Sequence, residues 1–316
     1  MDGCEKRKVR GVDSFMKNLN YQGYLNEFIL FNQILWDVTK NSIKNCRSHK
    51  ICSTNKNIIC DYQRLEWDTD LLGIVTGRIN NIFFDKEPVF EEVAEFIEVI
   101  EQELQERGVE FVFVRLNLSH FHVWKAFELK NWLTADIINV YSANSSQSSF
   151  LDKNVKDESH LSVREPSLKE SLYLFDSEKK LFSYSRIHRD PNIPLKKGIK
   201  FYRELLIHVF NKPHSVKTAL YDGNDIIGLV LGESEKVFPD KADFSVGYLW
   251  EIFLASGCRG RGFSKLLLCK FMDKIRSNVD FIEIGTQMDN IPANRLYASG
   301  GLRLAAAGVT LHKWFT

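Results

Sequence analysis

The sequence lacks a long apolar run and an excess of charge of either sign. No stretch is long enough to span a bilayer, and residues 1–15 are polar where a signal peptide would need an apolar run. We therefore expect a cytoplasmic protein that does not contact membranes. The 42 Lys and Arg residues nearly balance 41 Asp and Glu residues. The resulting net charge of +1 gives no global support for binding a nucleic-acid polymer.

The sequence also lacks the paired CxxC motif of structural zinc sites. Its six cysteines are unevenly spread, with four in the first sixty residues, and in the cytosol we expect them to be free thiols. Cys46, His49, Cys52 and Cys60 form the only cluster that suggests zinc. Because their spacing is unlike that of known sites, we predict no metal.

The composition is that of a soluble globular protein. Of 316 residues, 44% are hydrophobic and 26% are charged, and this length suffices for two compact domains. A Ser- and Asn-rich stretch without apolar periodicity predicts a linker between them. We predict four segments, which are an extension with a helix and a loop (1–60), a small α/β domain (61–143), the linker (144–160) and a catalytic domain (161–316).

Hydrophobic periodicity predicts an α/β fold in both domains. The first domain has a β-α-β-α-β pattern, in which the segment starting at Leu65 is predicted to be a loop and a short strand. The second has the order β-α-α-β-β-β-α-β-α-β, with a hairpin turn at residues 222–225. The two halves echo one another at a spacing of 170 residues, which aligns Phe111 with Phe281 and Phe127 with Tyr297. Duplication and chance similarity of α/β segments both explain this echo.

A glycine- and arginine-rich turn, CRGRGFS at residues 258–264, precedes a predicted helix. Glycines allow successive backbone N–H groups to point at an anion, and the helix dipole favours negative charge at that end. Arg259 and Arg261 add positive charge. The turn therefore predicts a phosphate-binding site, although such turns also occur in ordinary loops.

This turn and the element order resemble the GCN5-related N-acetyltransferase (GNAT) superfamily, whose signature matches at Arg259, Gly262 and Ser264. Ser264 departs from the Gly or Ala of the signature, but it is small. The resemblance implies a central, mixed and splayed sheet in the C-terminal domain and half of such a fold in the first domain. It implies acyl-coenzyme A, carrying acetyl or a short hydroxyacyl group, as co-substrate. The coenzyme-binding residues that it implies are Ile252, Phe253, Leu254, Arg259, Gly260, Arg261, Gly262, Phe263, Ser264, Asn290 and Asn294.

Two catalytic residues are predicted. The resemblance implies that Tyr297, seven residues after Asn290, protonates the departing coenzyme A thiolate. It also implies that Asn290 and the backbone of Phe253 and Leu254 hydrogen-bond the pantetheine arm. Glu251, on the strand before the turn, is a candidate acceptor of the amine proton, or an ordinary solvent-facing residue.

Three scattered segments narrow the acceptor. LEWDTDLLG at 65–73, YSRIHRDP at 184–191 and TQMDN at 286–290 resemble bacterial nucleotide-sugar N-acyltransferases, whose type member acetylates dTDP-4-amino-4,6-dideoxygalactose for a surface polysaccharide. The acceptor implied is a nucleotide-linked, dTDP-type amino-deoxy sugar. The predicted substrate-binding residues are Trp67, Asp68, Arg186, His188, Asp190 and Tyr202. The ring position of the amine, the acyl group and the oligomeric state, with a homodimer among the options, stay open.

Two other functions remain open from sequence. One is acylation of a protein amine, a polyamine or an antibiotic at the same coenzyme site. The other is a non-catalytic binding or scaffold protein, which would show a broken phosphate turn or a missing Tyr297. The first half has no glycine turn and carries Phe127 where the second has Tyr297. We predict that the first half is non-catalytic and forms a wall of the sugar pocket, with Trp67 part of that wall.

Overall fold

A computed structural model describes residues 49–53, 58–84, 88–145, 160–178, 182–237 and 244–315. The helix predicted near Tyr24, Cys46 of the zinc hypothesis and most of the predicted linker lie outside these residues. We refer to residues 49–145 as the amino-terminal half and to residues 160–315 as the carboxy-terminal half.

The amino-terminal half alternates strands and helices. Its elements are β1 (His49–Cys52), β2 (Ile58–Arg64), α1 (Glu66–Leu72), β3 (Thr76–Phe84), α2 (Phe90–Glu106), β4 (Phe111–Asn117), α3 (Phe121–Leu129) and β5 (Leu133–Asn144).

The carboxy-terminal half has the order of strands and helices that its sequence predicts, with the short helix α5 in addition and two 3-10 turns at Ser256–Cys258 and Arg276–Asn278. Its elements are β6 (Leu161–Arg164), α4 (Leu168–Ser177), α5 (Arg186–Arg189), α6 (Leu195–Phe210), β7 (Ser215–Asp222), β8 (Asp225–Val237), β9 (Phe244–Leu254), α7 (Phe263–Ile275), β10 (Phe281–Gln287), α8 (Ile291–Ser299) and β11 (Arg303–Trp314).

All eleven described strands form one mixed sheet, in the order β1-β2-β3-β4-β11-β5-β10-β9-β8-β7-β6. β3 and β4 are parallel, as are β9 and β10, whereas the remaining neighbours are antiparallel. This architecture confirms the predicted α/β class with a mixed, splayed sheet. Within the described residues, no helix is both long and apolar enough to cross a bilayer.

The two halves exchange their last strands. β5, from the amino-terminal half, lies between β10 and β11, and β11 lies between β4 and β5. Each half therefore completes its part of the sheet with a strand of the other. The sequence order alone would place β5 beside β4 and β11 beside β10.

The 170-residue echo is a repeat in the structure. β4, α3 and β5 begin and end 170 residues before β10, α8 and β11. Equivalent positions of the two copies also make equivalent backbone hydrogen bonds to the other copy. Leu118 N–H donates to Ala307 C=O at 3.1 Å, and Met288 N–H donates to Ile137 C=O at 2.7 Å. A β-bulge on β3 at Asn80 likewise recurs on β9, 170 residues later. Such agreement in register favours duplication over chance similarity.

Helices cover both faces of the sheet. Along β4, Val112 and Val114 pack beneath α2 and α3, whereas Phe111 and Phe113 pack against α5 and α6. Because side chains alternate along a strand, these two sets lie on opposite faces. We call the face that carries Phe111 and Phe113 the acceptor face.

Two segment predictions were wrong. The segment that begins at Leu65 was predicted to be a loop and a short strand. The strand is present as β3, but residues 66–72 form helix α1, which ends where Gly73 adopts a left-handed conformation (φ 63°) and its N–H donates to Thr69 C=O. The sheet begins at His49, so the boundary predicted after residue 60 falls inside β2.

Two residues of the zinc hypothesis, Cys52 and Cys60, lie on the neighbouring strands β1 and β2. Cys60 is the register partner of Ile51, so the side chain of Cys52, the next residue along β1, lies on the opposite face of the sheet. Burial raises the pKa of the Cys60 thiol.

Candidate active site

A cleft opens between β9 and β10. The two strands pair in parallel only from Val246 to Leu249 of β9 and from Phe281 to Ile284 of β10. At the next residue of β9, Trp250, a bulge shifts its register against β8, and β9 then continues to Leu254 beside β8 alone. A bulge increases local twist and bends the strand. The open edges of β9 and β10 form a V-shaped gap, which we call the cleft.

The backbone of β9 presents alternate residues to the cleft. Ala255 N–H donates to Ile227 C=O of β8 at 2.9 Å. The backbone N–H and C=O groups of successive residues in a strand point to opposite sides. Those of Phe253 therefore also point toward β8, whereas those of Ile252 and Leu254 point toward the cleft. The predicted backbone contact of Phe253 with the pantetheine arm is therefore wrong. Ile252 and Leu254 offer the exposed edge to which an extended chain can add as a strand.

The phosphate turn has the backbone that its glycines predict. Gly260 and Gly262 have φ values of 77° and 86°, and α7 begins at the next residue, Phe263. The first bond of the helix runs from Lys265 N–H to Gly262 C=O at 3.0 Å, so the N–H groups of Phe263 and Ser264 precede the helical ladder. A Cβ atom built on either glycine would meet no atom within 4 Å. The turn thus combines unpaired helix-end donors, the positive dipole end and open space beside them.

Arg259 stabilises this turn through the hydrogen bonds of its side chain. Its guanidinium donates to Glu178 at 2.8 Å and to Leu254 C=O at 3.2 and 3.3 Å. Glu178 also accepts from Ser256 N–H at 2.7 Å. The side chain of Arg259 therefore connects the turn to the end of α4. The guanidinium of Arg261 lies 4.5 Å above the Phe263 ring, at the helix N-terminus.

We expect Gly262→Ala to weaken acyl-coenzyme A binding. A left-handed conformation costs a non-glycine residue about 1–2 kcal/mol, and the new methyl group would point into the space beside the helix N-terminus. The KM for acyl-coenzyme A should rise about tenfold or more. Gly223→Ala is the matched control, because Gly223 also has a positive φ (57°) and open surroundings but lies in the β7–β8 hairpin. Steady-state kinetics in which both variants share one KM would contradict this assignment.

Two asparagines order the start of α8. Asn290 caps the helix, its Oδ1 accepting from Ala293 N–H at 3.4 Å, and its Nδ2 donates to Thr286 Oγ1 at 3.2 Å. Asn294 Nδ2 donates to three carbonyl groups of the same loop. Asn294 Oδ1 accepts from Asn139 and from the Tyr141 hydroxyl, each at 2.9 Å. Asn294 thus fastens the exchanged strand β5 to α8, and contact of either asparagine with the coenzyme stays a prediction.

Tyr297 lies on α8, and its side chain is buried. Its side chain is 4% exposed, and its ring meets that of Tyr141 edge to face at a centroid distance of 5.7 Å. Burial, reinforced by the charges of Glu251 and Tyr141, raises the pKa of the Tyr297 phenol. The phenol therefore keeps its proton throughout the neutral range, as a general acid must.

Glu251 lies on β9, one residue beyond the bulge. Its side chain is partly buried, and burial raises the pKa of its carboxyl group well above the ordinary value. Because Glu251 also raises the pKa of Tyr297, the two groups share one electrostatic environment. A carboxyl group with a raised pKa is suited to exchange protons near neutral pH.

Arg186 extends from α5 across the acceptor face. Its guanidinium lies 3.8 Å above the Phe113 ring, and one of its nitrogens is 3.4 Å from His312 Nε2. Arg186 must donate in this contact, so His312 accepts through Nε2 and carries its proton on Nδ1. Burial lowers the pKa of His312, which keeps it neutral and able to accept.

Asp190 was predicted to bind substrate, and the structure contradicts this. It is 2% exposed, and its Oδ2 accepts from His312 Nδ1 at 2.6 Å and from Trp314 Nε1 at 3.0 Å. Its Oδ1 accepts from Asn192 N–H at 2.9 Å. Burial acts to raise the pKa of this carboxyl group, but the hydrogen bonds hold it below its usual value. Asp190 therefore orients His312, which in turn supports Arg186.

The rings of His188 and Tyr202 stack on each other beside this network. Their ring centroids are 5.4 Å apart, and His188 Nδ1 is 3.0 Å from Ser185 Oγ. Burial lowers the pKa of His188 and raises that of Tyr202 to about 12. Both side chains are therefore neutral at pH 7.

The side chains of Trp67 and Asp68, neighbours on α1, have different surroundings. Burial raises the pKa of Asp68, and the charges of Arg186 and Arg78 oppose this rise. Trp67 is 39% exposed and packs edge to face on Phe201 at 5.1 Å. It lines a surface cavity of about 430 Å³ that shares no residue with the cleft, the other lining residues being Glu204, Ile207, His208, Asn211, Lys212 and Pro213. Phe201 belongs to the same apolar cluster as Phe111 and Phe113 of the acceptor face, and the assignment of Trp67 to the wall of the sugar pocket stays a prediction.

Sequence reasoning missed the residues that the strand exchange brings in. They are Asn139 and Tyr141 beside α8, Arg115 and Asp136 on the acceptor face, and His312 on β11. Polar residues interrupting apolar strands are the signal that could have marked them. Nothing in the local pattern indicates which strand lies beside which.

The amino-terminal half repeats the geometry of the cleft without its chemistry. β3 and β4 pair over only four residues before the bulge at Asn80, as β9 and β10 do before theirs. The position of Tyr297 is taken by Phe127, which is fully buried and packs on Trp132 at 4.8 Å. No glycine turn precedes α2. At these positions the amino-terminal half therefore has neither a tyrosine nor a glycine turn.

A family comparison agrees with this geometry. Residues 179–301, which contain the cleft, the turn and Tyr297, match the family described as acetyltransferase (GNAT) family. The chain carries a GNAT acetyltransferase domain. GNAT domains use acetyl-coenzyme A or a related acyl-coenzyme A as co-substrate, and the protein is an acyl-coenzyme A-dependent N-acyltransferase. No curated protein matches the sequence.

Solved structures share the fold at low sequence identity. A GCN5-related N-acetyltransferase from Sphaerobacter thermophilus aligns with a TM-score of 0.56 at 15% identity, covering 82% of this chain and 76% of its own. One from Kribbella flavida aligns with a TM-score of 0.58 at 10% identity, covering 89% and 94%. A tandem GNAT protein from the clavulanic acid biosynthesis pathway aligns with a TM-score of 0.54 at 10% identity, covering 84% and 83%. These similarities extend the fold of the GNAT domain over both halves of the chain.

Proposed function

We propose that the enzyme transfers an acyl group from acyl-coenzyme A to the amine of a nucleotide-linked, dTDP-type amino-deoxy sugar, for surface polysaccharide synthesis. The observation that carries the reaction is the cleft between β9 and β10, which leads to the glycine turn and is followed along the chain by α8 with Tyr297. The pantetheine arm would run along Ile252 and Leu254, with the pyrophosphate at Gly260 to Ser264. Acetyl is the expected acyl group, and a short hydroxyacyl group is the alternative.

The proposed reaction is a direct transfer. The neutral amine attacks the thioester carbonyl, a C–N bond forms and the C–S bond breaks. Tyr297 gives its proton to the sulfur, and the proton lost by the amine returns to the site through Glu251 or water. Free N–H groups on the cleft edge of β9 would polarise the carbonyl oxygen. The net result is an amide and a coenzyme A thiol.

The charged groups of the acceptor face support a nucleotide sugar. Arg186, supported by His312, offers several N–H donors for diphosphate or hydroxyl oxygens. His188 and Tyr202 add a flat wall against which a sugar ring can pack. No disulfide joins the described cysteines to one another, and we propose the cytoplasm as the site of the reaction.

A substrate panel tests the acceptor. Coenzyme A release should be measured with dTDP-amino sugars, the corresponding free amino sugars, a polyamine and a lysine peptide, with acetyl- and hydroxyacyl-coenzyme A as donors. We expect the highest kcat/KM for a dTDP-amino sugar, because a free sugar lacks the diphosphate. A polyamine or peptide as the best acceptor would overturn the assignment of the nucleotide sugar and leave the acyltransferase activity intact.

Glu251→Gln should lower activity and raise stability. As a base, Glu251 acts when deprotonated, so kcat/KM of the native enzyme should fall as the pH falls through its raised pKa. The variant should lose this pH dependence and about tenfold in kcat, less than a full acid–base effect, because a sugar amine is partly neutral at pH 7.

The stability effect of Glu251→Gln has the opposite sign. A carboxyl group whose pKa is raised in the folded state favours folding at low pH and loses that contribution as the pH rises. Replacing it with Gln should therefore raise the Tm at pH 8 more than at pH 5. An unchanged pH–rate profile would show that Glu251 takes no part in proton transfer.

A further inference from the structure

The exchanged strand β5 places an incompletely paired carboxylate on the acceptor face. Asp136 is 3% exposed, and its Oδ2 accepts from Gln287 Nε2 at 3.2 Å. Its Oδ1 has no hydrogen-bond partner among the described residues. A buried, unpaired carboxylate oxygen is costly to a protein. A ligand that donates to it would remove this cost.

An arginine of the same half lies beside this carboxylate. Arg115 on β4 and Asp136 on β5 are both register partners of Thr310 on β11, which lies between them. Arg115 Nε donates to Thr310 Oγ1 at 3.1 Å, and the charge of Asp136 opposes the lowering of the Arg115 pKa by burial. No ion pair within 4 Å joins Arg115 to Asp136 in the described part of the chain. The two groups are close enough to interact but do not satisfy each other.

Both groups border the proposed reaction site. The buried Tyr202 phenol is influenced by Arg186, Glu251 and Asp136 together. Arg115 is in turn influenced by the charge of Arg186. Gln287, which holds Asp136, is the last residue of β10 at the mouth of the cleft. Arg186 lies over the ring of Phe113, two residues before Arg115 on β4, and beside His312, two residues after Thr310 on β11. Because alternate residues of a strand share a face, these polar groups occupy one part of the acceptor face.

We propose that Arg115 and Asp136, both from the non-catalytic half, bind the hydroxyl-bearing ring of the acceptor. Asp136 Oδ1 accepts a hydrogen bond from an acceptor hydroxyl or amine, and the Arg115 guanidinium donates to a ring oxygen or hydroxyl. A ligand with donors and acceptors on one ring, such as a sugar, satisfies both groups. This inference rests on the proposed function and deepens it. It also gives the duplicated half a role, which is recognition of the acceptor.

Asp136→Asn is the sharpest test. Gln287 donates to one oxygen of Asp136, so the Asn side chain should direct its oxygen toward Gln287 and its NH2 group into the site. The NH2 group of Asn then faces a hydroxyl or amine donor of the substrate and accepts no hydrogen bond from it. We expect the acceptor KM to rise about 10- to 100-fold, with the KM for acetyl-coenzyme A unchanged. The acceptor used is the amine that the native enzyme turns over fastest in the panel described above.

Glu283→Gln is the matched control. Glu283 is also buried in this sheet (4% exposed), and its Oε1 also lacks a partner among the described residues. It lies four residues before Gln287 on β10, away from the cleft mouth. This variant should leave the acceptor KM unchanged, so a rise in Asp136→Asn alone separates recognition from a general effect of neutralising a buried carboxylate.

Arg115→Lys gives a second, independent measurement. It keeps the positive charge but loses the planar set of N–H donors of the guanidinium group. It should also raise the acceptor KM and leave the KM for the coenzyme unchanged. An acceptor KM within twofold of native in Asp136→Asn, or in Arg115→Lys should Asp136→Asn not fold, overturns the inference. Failure of the proposed function is distinct, because it appears as a best acceptor that is not a nucleotide sugar.

Discussion

Tyr297→Phe should lower kcat about 10²- to 10⁴-fold, the usual contribution of a general acid. The phenol keeps its proton because burial and Glu251 raise its pKa. Removing only the hydroxyl leaves the packing of the ring on Tyr141 in place. The KM values for both substrates should therefore change little, since the hydroxyl acts on the departing thiolate. Initial rates of coenzyme A release across pH 6–9 measure the effect.

Tyr221→Phe is a suitable control for this measurement. Tyr221 is a fully buried tyrosine of the same half, on β7 and away from the cleft. Burial raises its pKa as well, to about 12. We expect native kcat from this variant. If Tyr297→Phe also retains native kcat at every pH, then water or another group protonates the sulfur and the role of Tyr297 is structural.

The exchange of strands predicts that neither half is stable alone. Without β5, the strands β10 and β11 would lose their common neighbour, and Tyr141 and Ala143 would leave the core beneath α7 and α8. Burial of each large apolar side chain contributes roughly 1.5–3 kcal/mol, so losing several removes most of the 5–15 kcal/mol typical of a domain. A fragment of residues 160–316 should therefore be insoluble or unfolded.

Co-expression of the two halves tests this claim. Fragments 1–150 and 151–316, produced together, should co-purify and bind acetyl-coenzyme A, because the exchanged strands need no covalent connection. Circular dichroism and gel filtration of each fragment alone should show no folded monomer. A folded carboxy-terminal fragment that binds acetyl-coenzyme A by itself would show that β5 is dispensable and that the halves are independent domains.

The sequence predicted the features that depend on local chemistry. The glycines of the phosphate turn adopt positive φ because no other residue does so at little cost, and α7 follows directly. The hairpin at residues 222–225 forms for the same reason, with Gly223 at a φ of 57°. The repeat of strand, helix and strand was also visible, because each copy keeps its own hydrophobic period.

The features set by long-range pairing were not predictable. β5 and β11 are equally apolar strands, and their order in the sheet depends on packing of the whole molecule. Asp190 illustrates the consequence: it looks like a loop residue available to substrate, yet its partners His312 and Trp314 come from the last strand, more than 120 residues away. Residues 66–72 form a helix where a loop was predicted, because the packing of α1 on α6 is a long-range contact.

The stoichiometry of acetyl-coenzyme A binding, measured by isothermal titration, tests the central claim most directly. We predict one molecule per chain in the native protein and greatly weakened binding in Gly262→Ala, because, of the two clefts in the described residues, the one between β9 and β10 has a glycine turn at its mouth. Two molecules per chain would show that the amino-terminal cleft also binds the coenzyme. Native affinity in Gly262→Ala would contradict the placement of the coenzyme at the turn.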